Sequence, residues 1–203
     1  ITSAAVALVL AAGVVTSAPP GIAPPDPLAT WGAPILRVLT LACAIVTVGM
    51  LLAAGFLDPA GRDGVVSVLG RRDLLRAGVS ALVWAVMAAL QAIAELALVL
   101  QLPIGDALDP RVLSTYGTDV PIVRALLIIT MIALVIAALC VISATTGTAA
   151  LLLVLACVAL SLPGLAGHGA GLGDHALALT AATGHAVAAA LWIGGLVAPR
   201  RTC

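Results

Sequence analysis

Apolar and polar positions are not interleaved along this chain; they are sorted into long blocks. Apolar runs fall near residues 1–18, 34–57, 77–101, 121–142, 147–166 and 177–198. About 20 consecutive apolar residues suffice to cross a bilayer as a helix. The pattern therefore predicts an all-α integral membrane protein, a bundle of about six transmembrane helices. The first run lacks the charged leader of a signal peptide and leads straight into a Pro-rich stretch, so it reads as a span.

The breaks between runs are distinct. Residues 19–33 contain Pro19, Pro20, Pro24, Pro25 and Pro27, which predicts a stiff, polyproline-like loop. Residues 58–76 hold four Arg and three Asp, and residues 102–120 hold Asp106, Asp109, Arg111 and Asp119. Residues 143–146 read as a tight Ser/Ala/Thr turn, and residues 167–176 carry Gly and His. The chain starts at Ile1 and stops at Cys203 just after Arg200 and Arg201, so residues 1–203 read as a single transmembrane domain from a longer protein.

Composition agrees with this picture. Apolar residues make up 63% of the chain and charged ones 9%, against about 25% charged in soluble domains. Nine basic and nine acidic residues cancel, which argues against a nucleic-acid partner. Arg62, Arg71, Arg72 and Arg76 lie in one break, and Arg200 and Arg201 follow the last run. With six spans these share a side, which the positive-inside rule makes cytoplasmic. The Pro-rich, 102–120 and histidine-bearing loops are then extracytoplasmic. No nucleophile-elbow or phosphate-loop motif appears, so the chain does not read as an enzyme. Cys43, Cys140 and Cys157 lie inside apolar runs, where a thiol behaves as a small hydrophobe.

Two spans open alike, with "APILRVL" at 33–39 and "VPIVRAL" at 120–126. In each, Pro is expected to start the helix, where its missing N–H costs nothing. Arg37 and Arg124 then sit one turn inside the outer boundary, reaching headgroups, pairing with a buried acid or binding an anionic group. Glu95 is the acid inside a span, and it needs such a partner. Arg37, Arg124 or a bound cation are the candidates. Met87, Gln91 and Glu95 recur at i, i+4 and i+8, forming one face of the third span.

All three histidines fall between residues 168 and 185. His168 follows the fifth run, and His175 opens the sixth beside Asp174, a candidate N-cap. His185 falls about seven residues deep, roughly 10 Å from the outer face, where an imidazole needs a partner or a cavity. Trp192, seven residues on, returns to nearly the same face and is expected to pack beneath the site. Gly194 and Gly195 permit close approach of another helix. Clustered neutral imidazoles suit copper or zinc, although the spacing is not that of a standard closed zinc site. Haem ligated by intramembrane histidines and a metal-free structural subunit are the alternatives.

The segment "GHGAGLGDHALALTAATGHAVAAALWIGGL", residues 167–196, resembles the copper resistance D (CopD) domain family. There a Gly-His ending one span precedes a span reading His-x6-Trp-x-Gly-Gly, here Gly167-His168 and His185, Trp192, Gly194 and Gly195. Gly173-Asp174-His175, "WGAPILRVLTL" and "DVPIVRALL" resemble its actinobacterial form, usually fused to a CtaG-like cytochrome c oxidase assembly domain. The resemblance implies a bacterial inner-membrane protein that binds copper for uptake, homeostasis or delivery toward oxidase assembly. Periplasmic copper chaperones and oxidase assembly proteins would be its partners. It implies His168 and His185 as metal ligands and His175 as a further one. Glu95, Met87, Gln91 and Trp192 are expected to support them.

Overall fold

A computed structural model describes residues 26–58, 63–166 and 175–197. The expected span at 1–18 and His168 lie outside these residues. Within them the chain is almost entirely helical: α1 (Pro27–Leu52), α2 (Val68–Leu100), short α3 (Ile104–Ala107) and α4 (Pro110–Tyr116), α5 (Pro121–Ile142), α6 (Thr146–Ala166) and α7 (His175–Val197). α1 continues into a π-helical turn at Ala53–Leu57. Four of the described helices are long and apolar enough to cross a membrane, and the described part of α7 adds a shorter apolar stretch at Thr183–Leu196. The chain is an all-α membrane protein, as the block pattern predicts.

The long helices form a closed ring in the order α1, α2, α5, α6, α7 and back to α1, with α6 also reaching α1. Small residues point inward. Ala77, Ala81, Ala85, Ala88 and Ala92 of α2 are buried, as are Ala133 of α5 and Ala149, Ala156 and Ala159 of α6. Large aliphatic side chains such as Val79, Val86, Ile142, Leu151 and Val154 point outward and are exposed. Lipid is as apolar as Leu, so nothing drives these side chains inside. Close van der Waals approach through small residues holds the helices together instead.

Two approaches depend on glycine. A Cβ on Gly194 of α7 would lie 2.8 Å from the Gly49 nitrogen and from the Ile45 carbonyl oxygen of α1. A Cβ on Gly78 of α2 would lie 3.0 Å from Cys140 Cβ of α5. The close approach expected at Gly194 is thus made, and α1 is the helix that makes it. Thr47 Oγ1 and Ser80 Oγ, 3.0 Å apart, add a polar link between α1 and α2.

Several boundaries differ from the sequence expectation. α1 begins at Pro27, not Pro34, because Asp26 caps it: Oδ1 accepts from the Leu28 N–H at 2.9 Å. Pro34 therefore lies inside the helix, whereas Pro121 does open α5. α2 begins at Val68, where Ser67 Oγ accepts from the Gly70 N–H at 3.0 Å. The charged break is thus partly helical. Its Asp73 is buried at 1% exposure and salt-bridged to Arg76 at 3.2 Å, a buried acid that hydropathy assigns to a loop.

The ends of the bundle are tied separately. Arg71 donates to the carbonyls of Cys140, Val141 and Ser143 at 2.8, 2.5 and 2.6 Å, capping the C-terminus of α5. A short antiparallel bridge joins Val65 to Thr145, with the Val66 N–H donating to the Ala144 carbonyl at 2.9 Å. The segments around residues 63–67 and 143–145 therefore share one end. At the other end, Asp26 Oδ2 accepts from the Ile104 N–H at 2.9 Å, joining the start of α1 to α3. This alternation is the one that spans crossing back and forth require.

Candidate functional site

The ring encloses a cavity of about 550 Å³, nearer the end where α1 starts and α2 stops. Every helix of the ring contributes to it: Arg37 and Thr40 from α1, Trp84, Gln91 and Glu95 from α2, Leu126 from α5, Gly164 from α6 and Ala186 from α7. The wall is mostly apolar, with its polar groups concentrated on α1 and α2.

Helical register explains this clustering. Gln91 and Glu95 are i, i+4 on α2, and Trp84 precedes Gln91 by two turns, so the three share a face. Arg37 and Thr40 are i, i+3 on α1. Where those faces meet, Arg37 Nη2 donates to Glu95 Oε1 at 2.7 Å. The Glu95 side chain is 10% exposed and that of Arg37 63%, so the guanidinium lies at the rim and the carboxylate inside. Arg37 is thus the partner that Glu95 requires, while Arg124 is exposed and makes no ion pair among the described residues.

The predicted stripe is present with one change of membership. Gln91 and Glu95 are buried and line the cavity, but Met87 is half-buried and does not. Trp84, 1% exposed, takes its place. Sequence reasoning alone does not single out Trp84 or Thr40, although each has a signal there. Trp84 stands seven residues before Gln91, and Thr40 three after Arg37.

The histidine whose side chain is described lies elsewhere. His185 is exposed and does not line the cavity, although its neighbour Ala186 does. Trp192 shares the outward face of α7 and is 70% exposed, so it does not pack beneath a buried site. The i, i+7 spacing places the two on one face correctly, but Gly194 is the residue that turns toward α1. His175 opens α7, with its side chain outside the described residues. No group of three His, Cys, Asp or Glu side chains is close enough to hold a metal ion among the described residues. Among those residues the cavity wall offers no imidazole to ligate haem iron.

In comparisons with known proteins, no curated protein and no solved structure matches this chain. The family model of the copper resistance protein D-like N-terminal domain matches residues 28–175. That region includes Arg37, Glu95, His168 and His175, and it ends before His185, Trp192 and Gly194. Four membrane-length helices and a family match over most of the chain lead to one conclusion: the chain belongs to the copper resistance protein D-like family and is a multi-pass membrane protein.

Proposed function

We propose that this protein binds copper at the end of the bundle where α7 begins and passes it on. It would serve copper uptake, homeostasis or delivery toward cytochrome oxidase assembly. The observation that carries this reading is the family match over residues 28–175, which takes in His168 and His175. Copper is the cargo, and neutral imidazole is a suitable donor for it. His168 and His185 are the proposed ligands, with His175 as a capture ligand. The ring of His185 is exposed. Glu95 is already held by Arg37, so its role is charge balance within the bundle. Met87 and Gln91 support packing and polarity, and Trp192 on the outer face of α7 borders the same helix surface as His185. The protein acts as a carrier, not an enzyme, in a bacterial plasma membrane, with the histidine segment extracytoplasmic. Periplasmic copper chaperones and oxidase assembly proteins are its proposed partners.

Copper stoichiometry of the purified protein tests this, with His168→Ala, His175→Ala and His185→Ala measured singly and His168→Ala/His185→Ala together. Loss of bound copper is expected in His168→Ala and His185→Ala, with no Soret band in the wild type. Equal copper in wild type and the double variant would overturn the assignment.

A further inference from the structure

The cavity holds polar groups that lack partners among the described residues. Gln91 is 3% exposed, and its Oε1 accepts no hydrogen bond there. Thr40 is 8% exposed, and its Oγ1 is likewise unpartnered. Both residues line the same space. A buried polar atom without a partner is costly, and more so in a bundle surrounded by lipid. At Gly164 the absence of a side chain keeps the wall open. A Cβ there would lie 2.8 Å from Thr183 Oγ1, another buried hydroxyl without a described partner.

The charge, size and lining of this space restrict what fits. Arg37 and Glu95 neutralise each other, so the described wall presents no net charge to attract an ion. It contains no His, Cys or Met among the described residues, and is thus a poor copper site. Its volume, about 550 Å³, falls within the roughly 300–1,000 Å³ typical of small-molecule pockets, which combine apolar walls with a few placed polar groups. Trp84 supplies an aromatic wall. Gln91 Oε1 requires a hydrogen-bond donor, and the unpartnered Thr40 hydroxyl can donate to an acceptor. A hydroxyl supplies both.

We propose that the cavity within the helix ring, lined on its α1 and α2 side by Arg37, Thr40, Trp84, Gln91 and Glu95, binds a neutral aromatic alcohol with an apolar tail, of the hydroquinone class. Its hydroxyl donates to Gln91 Oε1 and accepts from Thr40 Oγ1, its ring lies along Trp84, and its tail occupies the aliphatic wall. His185 does not line this site, and no copper is needed to detect it.

The test uses Trp84 as reporter in purified protein carrying Trp31→Phe and Trp192→Phe. Fluorescence quenching is titrated with a short-tailed benzoquinol kept reduced, and with the matching benzoquinone, which accepts hydrogen bonds but donates none. The quinol is expected to saturate at about tenfold lower concentration than the quinone, the worth of one hydrogen bond to a buried acceptor. Gln91→Leu is expected to erase that preference while melting no lower than its parent, because it removes an unpartnered group. Thr40→Val, nearly isosteric, is expected to weaken quinol binding several-fold and provides an independent check. Quenching that never saturates, as for partition into detergent or a cavity holding only water, overturns the proposal. So does quinol binding that neither substitution changes.

Discussion

At the scale of single residues, the Arg37–Glu95 pair is asymmetric. The carboxylate is buried and the guanidinium stands at the rim. Removing the exposed partner leaves a buried charge, whereas removing the buried charge leaves a cation that reaches polar surroundings. Arg37→Gln is therefore expected to lower stability by about 1–3 kcal/mol, below the figure for fully buried pairs because Arg37 is largely exposed. Glu95→Gln should cost less, and thermal unfolding of both variants in one detergent checks the order. His185 behaves differently. It is exposed and makes no described hydrogen bond, so His185→Ala should change stability by no more than about 0.5 kcal/mol. A melting curve matching wild type would make any loss of copper in that variant a ligand effect. The sequence makes Glu95 legible as an acid in need of a partner. It leaves Arg37 and Arg124 equal, because both stand three residues after a proline at the start of a matching motif. Only the meeting of the α1 and α2 faces distinguishes them.

At the scale of elements, helix ends and crossings carry the stability. Arg71 satisfies carbonyls at the end of α5 that would otherwise lack donors. Arg71→Ala is expected to cost about 1.5–3 kcal/mol, since charged groups make the stronger hydrogen bonds, and loss of α5 end protection in hydrogen exchange would locate the effect. Arg71 also shows why charge counting misjudges this stretch. Arginines in a break signal orientation, but hydropathy does not reveal that the helix has already begun at Val68 or that one of them caps another helix. The α1–α7 crossing is the opposite case. Gly194-Gly195 announces a close approach in the sequence, and Gly49, with no comparable motif, is its counterpart. Gly194→Ala places a methyl group against backbone, which cannot yield as a side chain tip can. It should separate α7 from α1, and loss of a disulfide engineered between those helices reads that separation directly.

For the whole molecule, the described helices alternate direction, and the two tied ends carry different chemistry. The positive-inside rule predicts that the end with Arg71, Arg72 and Arg76 is cytoplasmic and that the end with α3 and α4 faces the opposite compartment. Gly105 in α3 and Gly147 at the start of α6 both have room for a side chain, since a Cβ at either position would meet no heavy atom within 4 Å. In a cysteine-free background, Gly105→Cys should react with a membrane-impermeant maleimide in intact cells. Gly147→Cys should react only after permeabilisation, and the reverse pattern would invert the topology.

The sequence by itself determined the class of molecule and most of its spans. Segregated apolar blocks have no other stable form in a bilayer, where every backbone polar group must be satisfied within the helix. It also determined which residues share a helix face, because 3.6 residues per turn is a local property. Which way each face turns was decided only by the tertiary structure. His185 and Trp192 lie on one face as their spacing requires, but that face points outward, because the glycine opposite is the one that fits against α1. The cavity depends on this choice too. Its walls come from helices far apart in sequence, and in a membrane, where polarity does not separate inside from outside for a Leu or an Ala, only packing decides which residues meet.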